Sequence, residues 1–447
     1  MTRRAWFQVH SFAGVVLGLL LFVICWSGSF ATLSHELDWL VTPAARVPAG
    51  GERASWGTIL AAVQAAYPGA RVTRLEAPLY SRSAAEALIR LPDGQPSRIY
   101  LDPYSGEVRG ASSLLTVWRF FRSFHRSLFL PVAWGVPLVS LFGLLLLVLL
   151  VSSLCFHKRW WRGFFRFRRG GRRMLWSELH RLAGLWSLGF LLVMGLTGSW
   201  YGIEKLRAGL GDGITVYAGA PGRSVVTLVK PDGAGAGPPL PLDALVREAR
   251  RLRPELSIRT LRFEPGVLYL DGQAGSLLLR DRANQLRLDR HSGRLLYDQR
   301  GEALPAYWRW VDTADPLHFG SFAGLAGKLL WFCFGLSLSG LCLTGVWLHA
   351  ERVVRLQGRG RWPGTLAAAA VSLALVAASL PLGLQELRSA YGAPVEGVRQ
   401  LPAVAPGVAC VILGWIGVSL LLLAFWAALL WRSIPRAPLP RLERLLP

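Results

Sequence analysis

Long apolar runs alternate along this chain with two polar segments patterned like small α+β domains. Runs near 6–33, 128–156, 179–205, 323–350, 364–384 and 407–431 are each long enough for a helix to cross a bilayer, which predicts six spans. In the first polar segment, helical spacing from Trp56 to Tyr67 ends at Pro68-Gly69, and strand-like stretches follow at 70–77, 85–91 and 98–101. The second segment repeats the plan, with a helix from Leu242 to Leu252 ended by Pro254, then strands at 257–263, 267–270, 276–279 and 285–288. Each segment closes on a similar turn, Asp102-Pro103-Tyr104-Ser105-Gly106 and Asp289-Arg290-His291-Ser292-Gly293. Asp, Ser and Gly are what a tight turn uses, so these read as turns rather than metal sites.

The expected order is a first transmembrane helix in 1–42, an outside domain in 43–120, a second helix in 121–157 and a basic loop in 158–177. A third helix in 178–206, a second outside domain in 207–316 with a Gly/Pro-rich loop at 219–241, and a fourth helix in 317–351 follow. Residues 352–363 form a loop, 364–384 a fifth helix, 385–406 an outside loop, 407–431 a sixth helix and 432–447 a tail. The fold class is therefore an α-helical integral membrane protein with a duplicated core of span, α+β domain and span, plus two extra C-terminal helices. Sequence offsets agree with a duplication: His10 to His180 is 170, His125 to His318 is 193 and His157 to His349 is 192. The difference fits a longer second outside domain.

Composition supports a membrane protein, with 52% hydrophobic and 17% charged residues. A net charge of +23 would suggest nucleic acid in a soluble protein. Here Lys158, Arg159, Arg162, Arg166, Arg168, Arg169, Arg172 and Arg173 crowd one loop, with Arg3 and Arg4 before the first span. Arg352, Arg355, Arg359 and Arg361 precede the fifth span, and Arg432, Arg436, Arg441 and Arg444 follow the last. With both termini in the cytoplasm all of these clusters face inward, so the charge reports topology and no nucleic-acid partner is expected. Cys25, Cys155, Cys333, Cys342 and Cys410 all fall in spans, which leaves the outside domains without a disulfide framework. No Cys-x-x-Cys-His motif is present for covalent haem attachment, and the uncleaved first run reads as a retained anchor.

The candidate chemistry lies in the histidines. Glu178-Leu179-His180-Arg181-Leu182-Ala183-Gly184 and Gln8-Val9-His10-Ser11-Phe12-Ala13-Gly14 each place a histidine inside an apolar helix with a glycine one turn later. Ionisable groups are costly in hydrocarbon, so a functional role is the default. Haem iron held by imidazole, with the glycine as a notch for a flat ligand, is the favoured use. Duplication about an axis along the membrane normal would pair His10 with His180 near the inner side and His125 with His318 near the outer side. That makes a bis-histidine site for haem b at each of two depths. Arg122, Arg126 and Arg181 are candidates for neutralising propionates. His157 and His349 each stand about 32 residues beyond their outer counterpart, which at ~1.5 Å per helical residue is about 48 Å, among the inner headgroups. His35 has no counterpart in the second half, and His291 belongs to a turn. Nothing resembles a nucleotide-binding glycine motif, so if the chain is a reductase its electrons arrive from membrane quinol or a separate redox protein.

The histidine-glycine span openings, the two closing turns and Asp315-Pro316-Leu317-His318 before the fourth span resemble the PepSY-associated transmembrane helix family over roughly residues 1–355. The resemblance implies iron-regulated proteins of bacterial inner membranes beside siderophore uptake systems, some of them haem-containing ferric-siderophore reductases. The expectation is a dihaem b-type electron-transfer protein that reduces a ferric siderophore or other ferric chelate during iron uptake. The alternatives are a transporter of siderophore or iron, and a non-enzymatic anchor presenting PepSY-type binding or inhibitory domains.

Overall fold

The computed structural model describes residues 2–209, 238–357, 362–392, 394–395 and 398–433. Arg359, Arg361, Arg436, Arg441 and Arg444, and all but the last residues of the predicted loop 219–241, lie outside them. The elements in chain order are α1 (Arg3–Val16), α2 (Gly18–Thr32), α3 (Ser34–Val41) and α4 (Trp56–Ala66). Strands β1 (Arg71–Glu76), β2 (Ala85–Arg90), β3 (Pro96–Leu101) and β4 (Val108–Ser112) lead to α5 (Val117–Ser127), α6 (Val132–Phe156), α7 (Arg172–Trp186) and α8 (Leu188–Gly209). Helix α9 (Leu242–Leu252) and strands β5 (Ser257–Glu264), β6 (Val267–Gln273), β7 (Gln285–Asp289) and β8 (Leu295–Gln299) precede α10 (Ala306–Phe319), α11 (Gly324–Gln357), α12 (Trp362–Tyr391) and α13 (Pro406–Ser433).

Among the described residues four helices are long and apolar enough to cross a membrane, or six when each of two bent pairs counts as one span. The bent pairs are α1 with α2, at 68°, and α7 with α8, at 63°. The sequence suggests an unbroken helix in both places. The breaks fall at Leu17 (φ −109°, ψ 8°) and Ser187 (φ −91°, ψ 3°), whose bridge-region backbone turns the chain out of the helical ladder. The N-terminal halves carry the polar residues of each run, including Arg3, Arg4, Gln8 and His10 in α1 and Arg172, Arg173, Glu178 and His180 in α7. His10 and His180 thus sit in amphipathic helices, each seven residues before its bend.

Small residues set the closest helix crossings. A Cβ on Gly143 of α6 would stand 2.5 Å from the Ser199 amide nitrogen of α8, and one on Gly335 of α11 would meet the Ser29 side chain of α2. Bringing backbones this close maximises dispersion contact between apolar helices. The offset from Gly143 to Gly335 equals that from His157 to His349, and the offset from Ser29 to Ser199 equals that from His10 to His180. The two crossings thus fall at the sequence offsets of these histidine pairs.

The polar segments form one antiparallel sheet of eight strands in the order β4-β3-β2-β1-β5-β6-β7-β8. Edge pairing of β1 with β5 joins them through Arg74 with Arg262, Leu75 with Leu261 and Glu76 with Thr260. Helices α4 and α9 cover one face, where Ile59, Val63, Leu245 and Val246 pack on Leu75, Leu261, Leu268 and Leu270. The Asp243 carboxylate of α9 accepts from Gly57 N (2.8 Å) and Ser55 Oγ (2.7 Å), tying the start of α4 to α9. On the opposite face Tyr269 donates to Asp271 at 2.9 Å, and burial raises the Asp271 carboxyl to about 6.

The expected helices at 56–67 and 242–252 are α4 and α9. The stretch 276–279 is not a strand. The turns at 102–106 and 289–293 lie inside hairpins and lead into β4 and β8, two strands that residue alternation does not predict. Their aspartates accept from the backbone two and three residues on, and Gly106 and Gly293 take left-handed backbone at φ 80° and 73°.

Candidate functional site

Histidines 125 and 318 arrive at one point from two helices. The start of α5 is capped from α3 by Asp38, whose carboxylate accepts from Val117 N at 2.7 Å and Trp118 N at 2.9 Å. Its end is fixed by two consecutive left-handed residues, Leu128 (φ 52°) and Phe129 (φ 58°), which turn the chain into α6. Helix α10 ends at left-handed Gly320, and Trp331 of α11 donates to the Leu317 carbonyl at 2.8 Å. The ring centres of His125 and His318 are 6.1 Å apart. A ring separation of this size would fit one metal ion held by both imidazoles at metal–nitrogen distances of about 2 Å.

Both rings line a cavity of about 430 Å³ between α2, α5, α6, α8, α10 and α11. Its floor is apolar, with Leu21, Ile24, Phe142, Leu146, Phe190 and Leu338, while Arg122, Arg126, Lys205, Arg280 and Arg282 stand on its polar side. A largely apolar cavity of this size with a few convergent polar groups suits a cofactor. Gly28 makes the room for His125, since a Cβ there would stand 2.7 Å from the ring Cε1.

The hydrogen bonds fix the tautomers. His125 Nδ1 meets the Ile24 carbonyl at 3.0 Å, an oxygen that only accepts, so Nδ1 carries the proton. His318 Nδ1 lies 2.8 Å from Thr197 Oγ1, whose own proton goes to the Val193 carbonyl at 2.6 Å, so this Nδ1 also donates. The same holds for His180, 2.9 Å from a Thr344 hydroxyl that donates to Gly340 at 2.7 Å. It holds for His10, which meets the Leu149 carbonyl at 3.1 Å and the Ser152 hydroxyl at 3.2 Å. All four imidazoles are thereby held with Nε2 deprotonated, the nitrogen that can ligate a metal.

His349 is set the other way. Arg352 donates to Ser11 Oγ at 2.9 Å and approaches His349 Nδ1 at 3.2 Å, while Ser11 lies 2.9 Å from the same Nδ1. With a guanidinium as neighbour Nδ1 accepts, so Nε2 holds the proton and offers no lone pair. His157 caps α6 with its ring 4.5 Å from Phe156. His35 stacks on Trp118 at 5.0 Å.

The inner pair differs from the outer one in packing. His10 lies against Phe156 of α6 at 5.3 Å and His180 against Gly345 of α11, whose added Cβ would be 3.3 Å from Cε1. Among the described residues the two rings are not in ring contact, and neither lines the cavity. The glycine notches predicted beside them are not close contacts: a Cβ on Gly14 would meet only Leu149, at 3.6 Å, and one on Gly184 nothing within 4 Å. Arg181 is committed elsewhere, donating to the Gly163 carbonyl at 2.7 Å, to the Arg166 carbonyl and to Glu178 at 2.6 Å, which folds the basic loop onto α7. No cluster of three or more His, Cys, Asp or Glu suited to a metal ion occurs among the described residues.

Above His318, Tyr201 donates to Asp315 at 2.7 Å, and Arg280 bonds Asp312 at 2.7 Å and also Asp315. Burial alone would raise the Asp315 carboxyl, but Arg280 and the Tyr201 hydroxyl outweigh it and hold it below its usual value. Through Arg280 the sheet is ion-paired to the helix that carries His318.

Sequence reasoning missed Thr197, Thr344, Ser152, Tyr201 and Asp315 as parts of the site. A signal is present: Ser27-Gly28-Ser29 and Thr197-Gly198-Ser199 form the same small polar triplet, at the same offset as His10 and His180, in otherwise apolar helices.

Comparison with known proteins places these features in a family. A relative, the uncharacterized protein PA4219 of Pseudomonas aeruginosa, is 32% identical over 249 residues, covering 51% of this chain. The match spans 62% of the relative's length, less than two thirds of it. The family described as the PepSY-associated TM region matches residues 7–352, which include all four favoured histidines and the whole sheet; the chain belongs to that family.

Proposed function

We propose that this protein is an electron-transfer protein of the bacterial inner membrane that holds b-type haem and reduces a ferric siderophore, or another ferric chelate, on the side of the sheet. The observation that carries the reading is the His125–His318 pair, 6.1 Å apart in a cavity, with both Nδ1 protons already engaged. Haem iron bound between two imidazoles would supply one-electron transfer with no open position for oxygen or substrate. His125 and His318 would present Nε2, Ile24 and Thr197 would orient them, and Arg122 and Arg126, which line the cavity, would meet the haem carboxylates. His10 and His180 share the ligating tautomer and are proposed as the ligands of a second haem.

The corresponding glycine crossings, the matched hydroxyl partners of His10 and His180 and the symmetric strand order favour an internal duplication. In this reading both termini and the basic loop are cytoplasmic, and the donor is quinol or a redox protein. Hard oxygen ligands hold Fe(III) much better than Fe(II), so reduction would loosen the chelate without an acid or base from the protein.

A reduced-minus-oxidised spectrum of the detergent-purified protein tests the reading. A b-type band is expected, with His125→Ala and His318→Ala each removing one haem equivalent and abolishing chelate reduction. A colourless protein, or two haem equivalents in either variant, would refute it.

A further inference from the structure

Helices α12 and α13 lie beyond the region matched by the family, and their contacts converge on one element. We propose that they brace α5 and so hold His125 in position against His318, with Trp415 and Gly383 as the positioning residues. The role of the bracing rests on the proposed histidine site, whereas the bracing itself does not.

Trp415 of α13 packs its ring edge-to-face on three phenylalanines of α5: Phe121 at 5.2 Å, Phe124 at 5.7 Å and Phe120 at 6.2 Å. Phe124 is the residue next to His125. Trp415 also meets Phe30 of α2 at 6.3 Å, and its buried indole N–H has no hydrogen-bond partner among the described residues, so its contribution is ring packing. Two hydrogen bonds fix the depth of α13: Trp26 donates to Ser419 at 2.8 Å and Trp426 donates to the Leu343 carbonyl at 3.0 Å. They tie α13 to α2 and α11, both of which line the histidine cavity.

Gly383 of α12 acts just past the C-terminal end of α5. A Cβ there would stand 2.5 Å from Cβ of Phe129, so α12 presses directly on the second left-handed residue of the α5–α6 turn. Two successive non-glycine residues with positive φ are costly and persist only where the surroundings hold them. Phe129 is held from the other side by Phe120 at 5.3 Å and Phe124 at 5.2 Å. The turn sets the direction of α5, and that direction sets the ring of His125. None of the ring contacts described for α10, which carries His318, involves α12 or α13.

The experiment compares amide hydrogen exchange of α5 and α10 in the full-length wild type, Trp415→Ala, Trp415→Phe and Gly383→Ala, together with the haem spectrum and midpoint potentials. Trp415→Ala is expected to speed exchange in α5 by about 10-fold or more while α10 changes less than about 2-fold, because local opening follows local packing. In haem-loaded protein the same variant shifts the potential of one haem and adds a high-spin signal, and Trp415→Phe restores both. Should Trp415→Ala fail to fold, Gly383→Ala decides by the same comparison. Exchange that is unchanged, or that rises equally in α5 and α10, overturns the proposal. A wild type without haem defeats the proposed function, while the exchange measurement still decides the brace.

Discussion

Ser152 and Thr344 stand at the same sequence offset as His157 and His349, and each hydroxyl accepts a hydrogen bond from the Nδ1 of a histidine, His10 at 3.2 Å and His180 at 2.9 Å. A serine or threonine in an apolar helix already donates to a carbonyl one turn back, so it can only accept from the imidazole. Local helix chemistry therefore fixes the protonation of a distant ring.

Removing such an acceptor should release the ring. Thr197→Val keeps the shape but strands the Nδ1 proton of His318, and haem affinity at that site should fall about 10- to 100-fold. Thr197→Ser should behave as wild type. Haem dissociation into apomyoglobin measures the difference, and equal rates in all three would show that the hydroxyl does not orient His318.

His349 gives the matching negative case. Its Nε2 is protonated by virtue of the Arg352 contact, so His349→Ala should retain every haem equivalent of the wild type, whereas His180→Ala should lose one. Haem loss in His349→Ala alone would invert the assignment of the inner ligands.

Three glycines separate close packing from open space. Gly143→Ala pushes a methyl onto the backbone of α8 and Gly335→Ala pushes one onto Ser29, and each should cost about 1–3 kcal/mol. Gly340→Ala meets nothing within 4 Å and gains helix propensity, so it should be neutral or slightly stabilising. Thermal unfolding in detergent reports all three, and a Gly143→Ala protein as stable as Gly340→Ala would mean the α6–α8 crossing is looser than described.

The sheet should show a pH dependence traceable to Asp271. Its folded carboxyl titrates near 6 against 3.8 unfolded, so the folded state favours the protonated form. Stability from this group is complete below about pH 4 and declines as pH rises to 6, by at most about 3 kcal/mol. Asp271→Asn should remove that decline, gaining stability at pH 8 and little at pH 4. Chemical unfolding followed by sheet circular dichroism at both values checks the sign.

The elements written most plainly in the sequence are those with local causes. Helices α4 and α9 end where Pro68 and Pro254 forbid continuation, and the apolar runs locate the spans. The sequence pairs His125 with His318 through the offsets of an expected duplication, and their rings stand 6.1 Å apart. What the sequence hides has distant causes. Leu17 and Ser187 carry no breaker residue, so the bends they make are invisible in it, and with them the amphipathic setting of His10 and His180. Strands β4 and β8 are short edge strands without strong alternation, and the join of β1 to β5 depends on two segments far apart along the chain. Of the hydroxyl partners of the histidines only Thr197 is legible, as part of a repeated triplet, while Ser152 and Thr344 carry no such signal.

The strand pairing of β1 with β5 also bears on how the two halves of the bundle are able to move. Leu75 pairs with Leu261 where the strands of the two polar segments meet, and Arg280 bonds Asp312 of α10, so the two halves share one continuous sheet. A rocking carrier that moved the halves apart would have to break this pairing in every cycle, exposing the unpaired backbone N–H and C=O groups of two strand edges each time. In the proposed electron-transfer reading no such opening is needed, so the joined sheet imposes no cost on that function.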